Sequence, residues 1–146
     1  MGTDRILLAT DGTESALAAT REAIEIAANR GATLHAIYVI EPPSDYDNDI
    51  IDREELEADL LATGTNVLED VEAAAAAASV PIRTTIDDGR PGDVLLSYAK
   101  TEDVDLIVVG AYGDRSGVTY ALLGSTADAL VRESRCPVLV CPPTEE

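Results

Sequence analysis

Asp105-Leu106-Ile107-Val108-Val109-Gly110 (DLIVVG) is an unbroken apolar run of strand length closed by a glycine, and it reads as the most strongly buried strand of the chain. A strand without polar alternation suits the centre of a parallel sheet, where helices cover both faces. Outward from it, Arg5 to Thr10 (RILLAT) and Pro137 to Cys141 (PVLVC) have the same character, and Thr33 to Ile40 and Pro81 to Ile86 complete five strands. Helical periodicity fills the intervals. Glu14 to Arg30 carries Leu17, Ile24 and Ala28 beside Ala16, Ala23 and Ala27, and stops at Gly31. A long stretch ending at Ala78 carries the stripe Leu60, Gly64, Val67, Val71, Ala74, Ala78, in which Gly64 marks a close approach by another element. Asp93 to Thr101 turns Val94, Leu95 and Tyr98 inward, and Ser125 to Ser134 turns Leu130 and Val131 inward. Glu41 to Asp49 reads as a loop and Asp87 to Gly92 as a turn. Alternating strands and helices predict an α/β fold, a single open doubly wound parallel five-stranded sheet with helices on both faces. Such sheets bind ligands beyond the carboxyl ends of their strands, which directs attention to Asp11, Val39, Asp87 and Gly110.

The 146 residues suit one domain, 1–146, and exclude a two-domain enzyme; 46% hydrophobic content excludes a disordered chain. Against 28 Asp and Glu stand 10 Lys and Arg, a formal charge of -18, with Lys100 as the single lysine. That field repels nucleic acid and anionic lipid, whose binding depends on cations displacing counterions. Carboxylates spread along the whole chain, arginine in place of lysine, and the lack of Phe and Trp resemble the composition of proteins from salt-loving archaea. No apolar run reaches a membrane span and no signal-peptide pattern opens the chain, so a cytoplasmic location is expected. Cys136 and Cys141 lie across a strand, about 16 Å apart and beyond disulfide reach.

The chemistry concentrates in Gly110-Ala111-Tyr112-Gly113, followed by Gly124-Ser125-Thr126. Glycines at a strand end and a Gly-Ser-Thr opening a helix let backbone amides approach an anion at the positive helix end. The pattern is neither G-x-x-x-x-G-K-[ST] nor G-x-G-x-x-G. The plainer alternative is that Gly110 and Gly113 make a turn while Ser125 caps the helix, with Asp128 completing a capping box.

Ile6 to Gly12 (ILLATDG), Ile37-Tyr38-Val39, Leu106 to Gly113, Gly124-Ser125 and Cys136 to Val140 together resemble the universal stress protein family over nearly the whole chain. The resemblance implies the adenine nucleotide alpha hydrolase-like version of the fold. The family's nucleotide-binding branch carries G-x2-G-x9-G-[ST]; here Gly110-x2-Gly113-x10-Gly124-Ser125 is one residue longer. Asp114 to Gly117 is hydrophilic enough to bulge outward, whereas an extra residue that displaced Gly124 would compromise the phosphate site. By the same resemblance, Asp11 with Ala9 and Thr10 contacts adenosine, and Val39 offers backbone hydrogen bonds to adenine. Val109 and Gly110 flank the nucleoside, and Gly113, Gly124, Ser125 and Thr126 hold phosphates. The implied ligand is ATP, with Mg²⁺ or Mn²⁺ carried by its phosphates, and the implied partner is a second copy paired through the last strand.

Other candidates are weaker. His35, the single histidine, reads as packed or hydrogen-bonded rather than catalytic. Asp45-x-Asp47-x-Asp49 begins like a calcium loop, but Ile50 and Leu56 stand where a glycine and a glutamate are needed. A phospho-accepting receiver domain needs an acidic cluster after the first strand and a lysine after the last, where this chain has Asp11 alone and Cys141-Pro142. No nucleophile, base and orienting group can be assembled, so no enzyme is expected. The leading expectation is a stress-response regulatory protein that binds ATP with little or no turnover. The alternative is a dimeric scaffold that binds no nucleotide and works through a protein partner.

Overall fold

The computed structural model describes residues 4–41, 53–112 and 123–143. Five strands, β1 (Arg5–Ala9), β2 (Thr33–Ile40), β3 (Ile82–Asp88), β4 (Leu106–Gly110) and β5 (Val138–Cys141), form one sheet in the order β3-β2-β1-β4-β5. Every neighbouring pair is parallel. The helices are α1 (Glu14–Arg30), α2 (Arg53–Ala77), α3 (Pro91–Thr101) and α4 (Ser125–Glu133). The chain winds one way from β1 through β3 and the other way from β4 to β5. The winding therefore reverses between β1 and β4, and their carboxyl ends diverge to leave a crevice.

Period-two alternation divides the strands between two cores. Ile6, Leu8, Leu34, Ala36 and Val108 pack on α1 and α2, whereas Leu7, Ile37, Ile107 and Val109 pack on α3 and α4. Because both faces are covered, DLIVVG and RILLAT have no polar alternation.

Thr13 caps α1, its Oγ1 accepting from the Ala16 amide at 3.4 Å, and Gly31 ends the helix at φ 65°. The buried face of α1 is Ala16, Ala19, Ala23, Ile24 and Ala27, while Leu17 is 51% exposed and Ala28 also faces solvent, contrary to the expected stripe. Small residues let α1 lie close on the sheet, and the leucine falls outside that contact. On α2 the buried set is Gly64, Leu68, Val71 and Ala75, so the stripe past Gly64 runs through Leu68 and Ala75 rather than Val67, Ala74 and Ala78. A Cβ on Gly64 would stand 2.7 Å from Tyr38 Cδ1, which identifies the element packed there as β2. On α4, Leu130 is buried but Val131 is 52% exposed. Asp87 and Asp88, expected in a turn, are the last residues of β3, and α3 begins at Pro91 rather than Asp93. Proline suits the first helical position because the amide it lacks has no partner there.

Candidate functional site

The crevice beyond β1 and β4 holds a cavity of about 550 Å³, within the range of small-molecule sites. Ala9, Thr10 and Asp11 line it from the end of β1, and Val39 from β2. Val109 and Gly110 line it from β4, and Gly124, Ser125 and Thr126 from the start of α4. Gly113 lies outside the described residues, as does the Asp45 to Asp49 segment. Asp87 does not line the cavity.

Backbone direction prepares each wall. In a parallel ladder, successive residues turn their N–H and C=O to opposite neighbours. The Thr10 amide donates to Ile37 O at 3.0 Å on the β1 side, and the Gly89 amide donates to Ile40 O at 2.9 Å on the β3 side. Val39 therefore turns its N–H and C=O toward β1, which has already ended at Ala9. Both groups open onto the cavity as a donor and acceptor pair.

At the β1–α1 corner, Asp11 Oδ1 accepts from the Thr13 amide at 3.0 Å and from Thr13 Oγ1 at 2.6 Å. This fixes the carboxylate and leaves Oδ2 without a partner among the described residues. Gly12 supplies the left-handed turn at φ 81°. Tyr38 also lines the cavity; burial, and secondarily the Asp11 charge, raise its phenol above the ordinary tyrosine value.

The opposite wall is the start of α4. The Gly124 amide donates to Ala111 O at 2.7 Å, so the chain returns to the end of β4 despite the longer spacer. Gly124, not Ser125, is the N-cap and has no side chain to cap with; Asp128 pairs with Arg132 at 3.0 Å instead of forming a capping box. The amides of Ser125, Thr126 and Ala127 consequently have no partner within the helix and present a positive end to the cavity. A Cβ on Gly124 would lie 3.3 Å from Ala111 O and from the Tyr112 backbone.

Sequence reasoning did not single out Ser15. Its side chain is buried against Gly110, and its Oγ accepts from the Tyr112 amide at 3.3 Å, tying the segment after β4 to the first turn of α1. The available signal was a serine among the alanines of the buried helix face.

The universal stress protein family model matches residues 2–142. A universal stress protein of Methanocaldococcus jannaschii is 34% identical over 137 residues, covering 93% of this chain and 80% of that protein. Among solved structures, UspA from Lactobacillus plantarum aligns with a TM-score of 0.82 at 27% identity, covering 97% of this chain and 99% of that one. A universal stress protein in complex with cAMP aligns at 0.71 and 27%, covering 99% and 100%. Strand order, the crevice at the winding reversal and the match along nearly the whole length agree: the chain belongs to the universal stress protein family.

Proposed function

We propose that this protein is a cytoplasmic stress-response regulator that binds an adenine nucleotide, ATP by preference, in the cavity beyond β1 and β4, with little or no turnover. The observation that carries the reading is the convergence on one cavity of three complementary groups. These are the outward Val39 backbone pair, the free oxygen of Asp11 and the uncapped amides of α4. The first suits an adenine edge, the second a ribose hydroxyl, and the third a phosphate. The solved relative in complex with cAMP supports the same ligand class.

The described lining includes Asp11 and Glu41 but no cationic side chain. A triphosphate brings its own Mg²⁺ or Mn²⁺ under this reading. Among the described residues no three carboxylate, imidazole or thiol groups converge to ligate an ion, so phosphate oxygens and water would hold it. His35, the single histidine, lines a different cavity and is no base for hydrolysis here.

Calorimetry with ATP, AMP and cAMP in about 1 M KCl with Mg²⁺, and mass spectrometry of the purified protein, test the reading. Saturable heat with ATP is expected. Asp11→Ala should weaken binding about tenfold, the size of one charge-assisted hydrogen bond, with little change in melting temperature. Gly124→Val should abolish binding by filling the phosphate approach. No heat and no co-purifying nucleotide would favour the partner-docking scaffold instead.

The same reading includes a homodimer through β5. This strand ends the sheet, and Val138, Leu139 and Val140 are only half-buried. The Ile107 amide donates to Pro137 O at 3.0 Å and the Ala111 amide to Cys141 O at 2.8 Å. Alternation therefore turns the backbone groups of Val138 and Val140 away from β4, along an open edge that a second copy can pair. Light scattering should give twice the chain mass. Val138→Pro with Val140→Pro, which deletes only outward donors, should give a monomer; retained dimerisation would place the interface elsewhere.

A further inference from the structure

At the opposite end of the sheet, about 490 Å³ of open volume lies among the amino ends of β1, β2 and β3 and the turn before β4. Arg5, His35 and Arg83 line it. Neither Arg5 nor Arg83 has a carboxylate at ion-pairing distance among the described residues. Three aspartates share the cavity. Asp105 accepts from the Arg5 backbone amide at 2.8 Å, Asp4 pairs with Arg30 at 3.5 Å, and Asp103 sits at the exposed turn. Arg5 Nη1 donates to Glu102 O at 2.7 Å, which holds its guanidinium at the cavity.

His35 is 2% exposed, and its Nδ1 lies 2.6 Å from the Tyr98 hydroxyl. The Tyr98 hydroxyl also meets the Thr85 side chain; where it donates to Nδ1 and accepts from Thr85, the proton of the neutral ring belongs on Nε2. Nε2 has no hydrogen-bond partner among the described residues, and no buried side-chain nitrogen there lacks one. The nitrogen therefore reaches the open volume. Burial, and next the Arg83 charge, lower the affinity of His35 for a second proton.

We propose that this second cavity binds a small oxyanion, a carboxylate or a phosphate group, between the guanidiniums of Arg5 and Arg83 with the His35 Nε2–H beneath it. A guanidinium presents parallel donors that match either group. The lining sets two guanidiniums against the carboxylates of Asp4, Asp103 and Asp105, so an anion is held by direct contact with the arginines and not by the net charge of the cavity. The proposal rests on different residues from the nucleotide reading and stands or falls separately from it.

His35, as the single histidine, gives one set of ring signals in proton and nitrogen NMR. Potassium acetate and potassium phosphate are titrated separately into the full chain at constant ionic strength. The free protein should show Nδ1 unprotonated, and at least one anion should displace the Nε2 signal saturably; which anion does so identifies the group bound. Arg83→Gln, an exposed change on an edge strand, should weaken that titration about tenfold or more, and Arg5→Gln should do the same. Gly124→Val should leave it unchanged. A flat or linear response to both anions, or an equal displacement in both arginine variants, would overturn the proposal.

Discussion

Gly110→Ala should destabilise the protein by about 3 kcal/mol and lower its melting temperature by about 6–12 °C, while also weakening nucleotide binding. The added methyl would meet the Ser15 side chain, and its Cβ would stand 2.7 Å from the Ser15 carbonyl carbon and 2.9 Å from the Ala16 nitrogen. Those are backbone atoms of the first turn of α1, so rotating one side chain cannot relieve the contact; the helix must shift. A shift there moves Thr13, which orients Asp11, and Ser15, which holds the Tyr112 amide, so stability and binding fall together. Urea unfolding of the two proteins in molar KCl measures the loss. Adding Ser15→Ala to Gly110→Ala should recover only a minor part, because it removes the hydroxyl and leaves the two backbone contacts. Full recovery, or no shift in the unfolding midpoint, would show that α1 and β4 have more room than this packing implies.

The five parallel strands and the carboxyl-end location of the crevice were legible because doubly covered strands advertise themselves as continuous apolar runs, and β1, β2 and β4 end within one residue of the expected boundaries. The helix faces were less so. Apolar identity made Leu17, Val67 and Val131 look like core, but the distance between helix and sheet decides what fits, and alanines took those contacts on α1. At the site, the glycines and the strand-end Asp11 were visible as residue types. The Val39 wall depends on backbone direction at a register position where the neighbouring strand has ended, which a side-chain pattern does not encode. Whether the longer spacer displaced Gly124 turned on one amide bond to Ala111 O, a contact between residues at opposite ends of the loop. Arg5, His35 and Arg83 come from three strands far apart in sequence, and only the β1-β2-β3 register brings them to one cavity.

The melting temperature should rise by about 10–20 °C between about 0.1 M and about 1 M KCl, and level off above that. The cause is the formal charge of -18 on 146 residues, which folding compresses into a small volume. Ion pairs do little to offset it. Among the described residues Arg30 with Asp4 and Arg132 with Asp128 are the two pairs present, both largely exposed, and such pairs contribute at most about 1 kcal/mol each. Raising the salt shortens the screening length from about 10 Å to about 3 Å, which removes repulsion between neighbouring surface carboxylates more from the compact state than from the expanded one. A relief of about 5 kcal/mol gives the stated shift for a domain of this size. Screening has a signature that separates it from general salting-out: near pH 4, where carboxylates begin to take up protons, the charge falls and the increment from KCl should shrink. An increment that persists unchanged at that pH, or a melting temperature indifferent to KCl at neutral pH, would mean that the acidic surface is accommodated by solvation alone.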